Sequence, residues 1–149
     1  MIGAFVGGKE DGGQVDVSFK GGFGGIVGAQ FDNKKASDIS AKRDVVSIKT
    51  VFQNSNVPKV IDYLSLDVEG AEYYIMEDFP WDDYVFRILT IERPQDDLKQ
   101  MLKEHGYIFI QNICRFHDTL WVHKDSSNLS IDEIKQVVGA ASPLALQFQ

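Results

Sequence analysis

The chain has 149 residues, 44% hydrophobic and 25% charged, enough to bury the core of one soluble domain. Its formal charge of −7, from 15 basic and 22 acidic residues, repels polyanions and supplies no basic stripe, which argues against nucleic-acid binding and suits a neutral or cationic small substrate. No apolar run approaches the roughly 20 residues of a membrane span, the start MIGAFVGGKED does not read as a secretory signal, and a cytoplasmic location is the default.

The first third is rich in glycine. Ile2 to Val6 and Val15 to Phe19 read as strands joined through the turn cluster Lys9 to Gly13, a hairpin pattern. Gly21 to Gly28 fits neither the dinucleotide fingerprint nor the P-loop spacing, and is read as a mobile flap. Val45 to Ile48 suits a short strand and Thr50 to Asn54 a helical turn before Pro58. From Val60 the pattern alternates strand and helix, as in βαβ units. The strand Val60 to Leu66 is followed by a helix, Glu72 to Asp78, ended by Pro80, and Phe86 to Ile91 is the next strand, with Arg93-Pro94 as a breaker. Leu98, Met101, Leu102 and His105 fall on one helical face that Gly106 stops, which makes His105 a core histidine. Tyr107 to Ile113 and Thr119 to His123 form a last hairpin, His123 at the surface, and Ser130 with Glu133 makes a capping box for a helix Ile131 to Val138 before a loosely held tail. The lone Cys114 permits no intrachain disulfide or cysteine zinc cluster, and reads as a buried or incidental thiol.

The most informative stretch is IDYLSLDVEGAE, Ile61 to Glu72. An apolar run stops at Asp67, Glu69 and Gly70, so a buried strand delivers acids to a strand-to-helix turn. In open α/β sheets ligands sit beyond the carboxyl ends of strands. If the Asp67 and Glu92 strands are parallel neighbours, both acids end on one rim with Glu69 a turn away. Converging carboxylates there bind a hard cation, or one takes a proton from a hydroxyl. The plainer alternative has Asp67 capping the next helix while Glu69 and Glu72 complement its N-terminus, which is the favoured reading for Glu72. His117 and Asp118 reach the same rim if Tyr107 to Ile113 runs parallel to the other strands, and there they line the substrate entrance, although a turn-forming Asp118 needs no such role. Nucleophile-elbow, H-E-x-x-H and paired-cysteine motifs are lacking, which removes most support for hydrolase and zinc-enzyme readings.

IDYLSLDVEGAE, followed by ILTIER and then by LKEHGYIF and HDTLWV, closely resembles the FkbM-type methyltransferase family from the start to about Lys124. The resemblance implies a Rossmann-like class I methyltransferase fold, an α/β sheet mostly parallel with an antiparallel C-terminal hairpin. It also implies S-adenosylmethionine as cofactor and O-methylation of a sugar or other small-molecule hydroxyl. Asp67, Glu69 and Gly70 match the family's D-x-E-G motif, which implies cofactor binding, with Asp67 near the methionine end. Glu92 matches the acid ending the next strand, and Asp67 or Glu92 orients or deprotonates the acceptor. Asp118 matches the aspartate opening the last strand. Ile2 to Gly8 is similar to the family's third strand and Phe23 to Gly28 to its substrate-side loop. No residues match the first two strands and their cofactor-gripping turn, so the chain reads as a partial domain over residues 1–124 with a C-terminal helix and tail over 125–149. A divalent metal at Asp67 and Glu92 is not favoured. The competing reading is a non-catalytic binding or interaction module, or a degenerate homologue, that has lost cofactor binding.

Overall fold

The computed structural model describes residues 5–9, 11–19, 24–35, 39–114, 117–125 and 130–141. They form β1 (Phe5–Val6), β2 (Gln14–Ser18), β3 (Gly25–Ile26), β4 (Ser40–Val46), α1 (Ile48–Asn54), β5 (Val60–Leu66), α2 (Glu72–Met76), β6 (Val85–Ile91), α3 (Asp96–Glu104), β7 (Tyr107–Asn112), β8 (Thr119–His123) and α4 (Ile131–Ala141).

The class is mixed α/β, but the strands divide into two four-stranded sheets, ordered β1-β4-β2-β3 and β5-β6-β8-β7. Among the named strands the parallel pairs are β1 with β4 and β5 with β6 and the others are antiparallel; Val27 and Asn33 add an isolated parallel bridge. The expected hairpin between the first two strands is therefore corrected, because β4 lies between them, parallel to β1 and antiparallel to β2. Its sequence, SAKRDVV, is largely exposed, so it carries none of the apolar alternation that would reveal a central strand. Of the glycine-rich flap, Gly25 and Ile26 form β3 against Val17 and Ser18, while residues 21–23 lie outside the described residues, as do residues 1–4 of the first strand and 142–149 of the tail.

The main core lies between the second sheet and its helices. Phe86, Leu89 and Ile91 of β6, Leu98 and Leu102 of α3, Met76 of α2 and Trp121 of β8 are buried there. Phe52 of α1 packs edge-on to Phe79, Tyr84 and Phe86, joining the end of the first sheet to the second. Local chemistry fixes the ends of these elements. Ser47 Oγ accepts from Thr50 N at 3.2 Å to cap α1, and Asp11 accepts from Ser47 N and from the Thr50 hydroxyl, both at 2.7 Å. In α3, Asp96 and Asp97 sit in the first turn and Lys103 in the last, matching the helix dipole, and Gly106 follows at φ 83°. The capping box of α4 forms as expected, with Ser130 N and Oγ both donating to Glu133 at 2.8 and 2.6 Å. Ile134 seats that helix beside Ile110 and Val122.

One side-chain expectation is corrected and another is narrowed. His105 is the C-cap of α3 and is exposed, stacked on Trp81 at 4.5 Å rather than placed in the core. Cys114 is exposed, which removes the buried alternative of its reading and leaves the incidental one.

β7 and β6 both run antiparallel to β8, so β5, β6 and β7 all point the same way and finish on one rim. The opposite end of β6 is anchored by Tyr107, whose hydroxyl accepts from Phe86 N at 3.0 Å in a buried setting that pushes the phenol up to about 12. Tyr107→Phe leaves that buried N–H without its partner and is expected to cost about 1–3 kcal/mol in urea unfolding. An unchanged midpoint would show that the bond does not hold β6 in place.

Candidate active site

The rim follows from the register of β5 and β6. Leu66 pairs with Ile91, and Glu92 N donates to Leu66 O at 2.9 Å, so Asp67 and Glu92 leave the sheet side by side. Below them, Thr119 Oγ1 donates to Ile91 O at 3.1 Å and accepts from Trp121 Nε1 at 2.9 Å, a buried pair of bonds fixing β6 against β8. After Asp67 the chain turns through Glu69 at φ 55° and Gly70 at φ 88°. Asp67, Glu69 and Glu92 each bring one carboxylate oxygen within 4.8 Å of the others.

Gly70 has little freedom to change. Any Cβ there would lie 2.8 Å from Asp32 N and 2.9 Å from Asp32 Oδ1. The segment carrying Asp32 lies over the turn, its N–H donating to Glu69 O at 3.1 Å, with Phe31 and Ile26 packed beside Ala71. Glu72 is structural: its carboxylate accepts from Val68 N at 3.1 Å and Gly70 N at 3.3 Å and so closes the turn, while burial raises its pKa. Asp67 does not cap the helix, because Ala71 holds the N-cap position and no side chain bonds there.

Arg93 is the rim residue that sequence reasoning missed. Its Nη2 lies 2.6 Å from Glu92 Oε1, 2.7 Å from Asp32 Oδ2 and 3.6 Å from Glu69 Oε2. It reaches them from a backbone at φ 37°. Glu69, Arg93 and His117 are three of the four described non-glycine residues with positive φ, so sparsely populated backbone gathers at this rim. The signal for Arg93 was the convergence of acids itself, since carboxylates that close require a cation and the residue after Glu92 supplies one.

The electrostatics single out Glu92. Burial is the largest cause raising its pKa to about 7, followed by a hydrogen bond with Asp67 and by the charge of Asp67, with Arg93 opposing and Glu69 adding to the rise. Glu92 Oε2 is buried without a hydrogen-bond partner among the described residues. Asp118 falls opposite Glu92 when the Ile91–Thr119 register is extended by one pair, and its Oδ1 is also buried without a partner among the described residues. Asp67 further opens into a cavity of about 320 Å³ beside Phe5, Val6, Gly25, Ile26 and Ala71. His117 is exposed and lines a separate groove. The structure thus brings Asp67, Glu69, Glu92 and Asp118 to one rim, with His117 at its outer margin. The carboxylate spacing would admit a divalent cation, but Arg93 already lies against two of the three acids.

Comparison with known protein families gives a match between residues 7–109 and the methyltransferase FkbM domain. No curated protein and no solved structure matches the chain.

The folded pKa of Glu92 stands above its unfolded value of 4.5, so its stabilising contribution is complete below about pH 4.5 and is lost as pH rises through about 7. Glu92→Gln keeps the side chain neutral, able to donate to Asp67 and accept from Arg93. At pH 8 it is expected to be more stable than the parent by roughly 1–2 kcal/mol, after discounting for screening at the rim, with the difference vanishing near pH 4.5. Thermal unfolding across that range checks this, and parallel curves for the two proteins would contradict it.

Proposed function

The chain belongs to the FkbM methyltransferase family, and from that premise we propose that it transfers a methyl group from S-adenosylmethionine to a hydroxyl of a small molecule. The observation that carries the reading is the pairing of Asp67 with Glu92 on a rim beside a cavity, one carboxylate opening into the cavity and the other with proton affinity near neutral.

The residues present suit the methionine end of the cofactor. Asp67, Val68 and Ala71 from the strand-to-helix turn and the backbone at Gly25 line one opening, and the Glu69–Gly70 part of the turn lies behind it, a Cβ at Gly25 falling 3.3 Å from Glu69 Cβ. About 320 Å³ is at the lower end of ligand-pocket volumes. When bound, S-adenosylmethionine supplies an electrophilic methyl group. Asp67 binds and orients the ammonium side, while Glu92 receives the acceptor's hydroxyl proton, because a base with pKa near the working pH transfers protons most efficiently. Arg93 keeps the acids from repelling one another and fixes the Glu92 carboxylate. The remaining contribution is positioning. Rossmann-like architecture, as in class I methyltransferases, is part of the same proposal, supported by the parallel β5 and β6 and the antiparallel β7–β8 hairpin.

Calorimetry with S-adenosylmethionine tests the proposal. Micromolar binding that Asp67→Ala weakens about tenfold or more is the expected result. No heat at millimolar cofactor, or binding indifferent to Asp67, would favour a binding module over an enzyme. In turnover, kcat/KM should rise with pH up to about 7 as Glu92 loses its proton, and Glu92→Gln should lower it about 10²–10⁴-fold.

A further inference from the structure

A groove of about 700 Å³ lies between α3 and the edge strand β7. Its aromatic lining is Phe109 and Trp121, which meet edge to face at 5.4 Å. Lys99 and Lys103, one helical turn apart on α3, line one side, and Arg93 and His117 line it as well. No aspartate or glutamate is among the described residues lining it. In a protein of net charge −7 this is a local reversal of sign, opposite to the neutral or cationic substrate that the overall charge suggests.

The cations differ in availability. Arg93 is committed to Asp32, Glu69 and Glu92. Lys99 meets Asp96 at 3.0 Å, but Asp96 is fully exposed, and such an i,i+3 surface pair holds its partner weakly. Lys103 has no ion-pair partner among the described residues. Two ammonium groups one turn apart beside an aromatic face make a receptor for an anion carried on a ring. Asn112 adds an amide to the lining. Arg93 lines this groove and also contacts Glu92, so the groove adjoins the rim.

We propose that the groove between α3 and β7 binds a small molecule bearing a ring and an anionic group, phosphate or carboxylate, with Lys99 and Lys103 holding the anion and the exposed ring of Phe109, backed by the buried Trp121, holding the ligand ring. Resting on the methyltransferase reading, this ligand is the acceptor, its anion set away from the hydroxyl that faces Glu92.

The test needs no cofactor. Amide and indole NMR shifts of the full chain are followed during titration with phenyl phosphate, benzoate and benzyl alcohol, which share a ring and differ in charge. Phenyl phosphate or benzoate is expected to move the Trp121 indole and the Lys99 and Asn112 amides, and to bind at least about tenfold more tightly than benzyl alcohol. Which anion binds better identifies the group. Lys99→Gln/Lys103→Gln, at a partly buried and an exposed helical position, should weaken the anion about tenfold and leave benzyl alcohol unchanged, and Lys103→Gln alone should give part of that loss. Added salt should weaken only the anionic probes. Equal binding of the neutral probe, indifference to both lysine variants, or no shifts in the groove at millimolar probe would overturn the proposal. Should these anions bind while S-adenosylmethionine gives no heat, the cofactor reading fails and the anion site stands. The reverse result removes the anionic acceptor alone.

Discussion

Like charges forced together at the end of two parallel strands set the terms for everything around them. Two unit charges no more than 4.8 Å apart repel by at least about 3 kcal/mol at an effective dielectric near 20, and Asp67, Glu69 and Glu92 make three such pairs. Holding a proton on an ordinary glutamate at neutral pH costs about 3.4 kcal/mol, taking 1.36 kcal/mol for each unit between 4.5 and 7. The two quantities are of the same size, and burial adds to the first. Retaining a proton on Glu92 is therefore the less costly arrangement, and Arg93 absorbs much of the remaining charge.

The surrounding fold keeps that arrangement from relaxing. The bond from Glu92 N to Leu66 O and the buried Thr119–Trp121 pair fix the strand ends below the acids. Glu72 ties the turn from beneath, and the Asp32 segment, brought over by the first sheet, closes it from above so tightly that Gly70 has no room for a side chain. The first sheet thus serves the rim. Its β3 lies next to the cavity into which Asp67 opens, and its Asp32 takes one arm of Arg93.

Much of this was legible in the sequence where the signal is local. The run Val60 to Leu66 ending in Asp67, the strand ending at Glu92 and the last hairpin are each marked by an apolar stretch bounded by turn chemistry, and the structure places these strands where they were read, except that β5, expected to be buried, is an edge strand in which only Leu66 is buried. What escaped was long-range. Asp32 meets Arg93 across 61 positions, a pairing no local pattern announces, and Arg93 itself was masked by the proline after it, which reads as punctuation. The glycines and acids between β1 and β2 signal a turn, but a turn does not specify its partners, and the polar β4 took the place between them. His105 sat on an apolar helical face by spacing, yet as the C-cap of α3 it lies where the helix ends, beside Trp81 rather than beneath it.

The second sheet also ends in an edge: among the described residues β5 pairs only with β6, with Val60 and Tyr63 45% and 54% exposed. The consequences of the rim nevertheless turn on one proton. Carbon-detected NMR of the side-chain carboxyls, titrated from pH 3 to 9, measures it directly. The account predicts that Glu92 titrates near 7 and that replacing Asp67 by asparagine lowers this value only part of the way toward 4.5, because burial, the largest cause, remains. A Glu92 carboxyl that titrates near 4.5 in both proteins would contradict it.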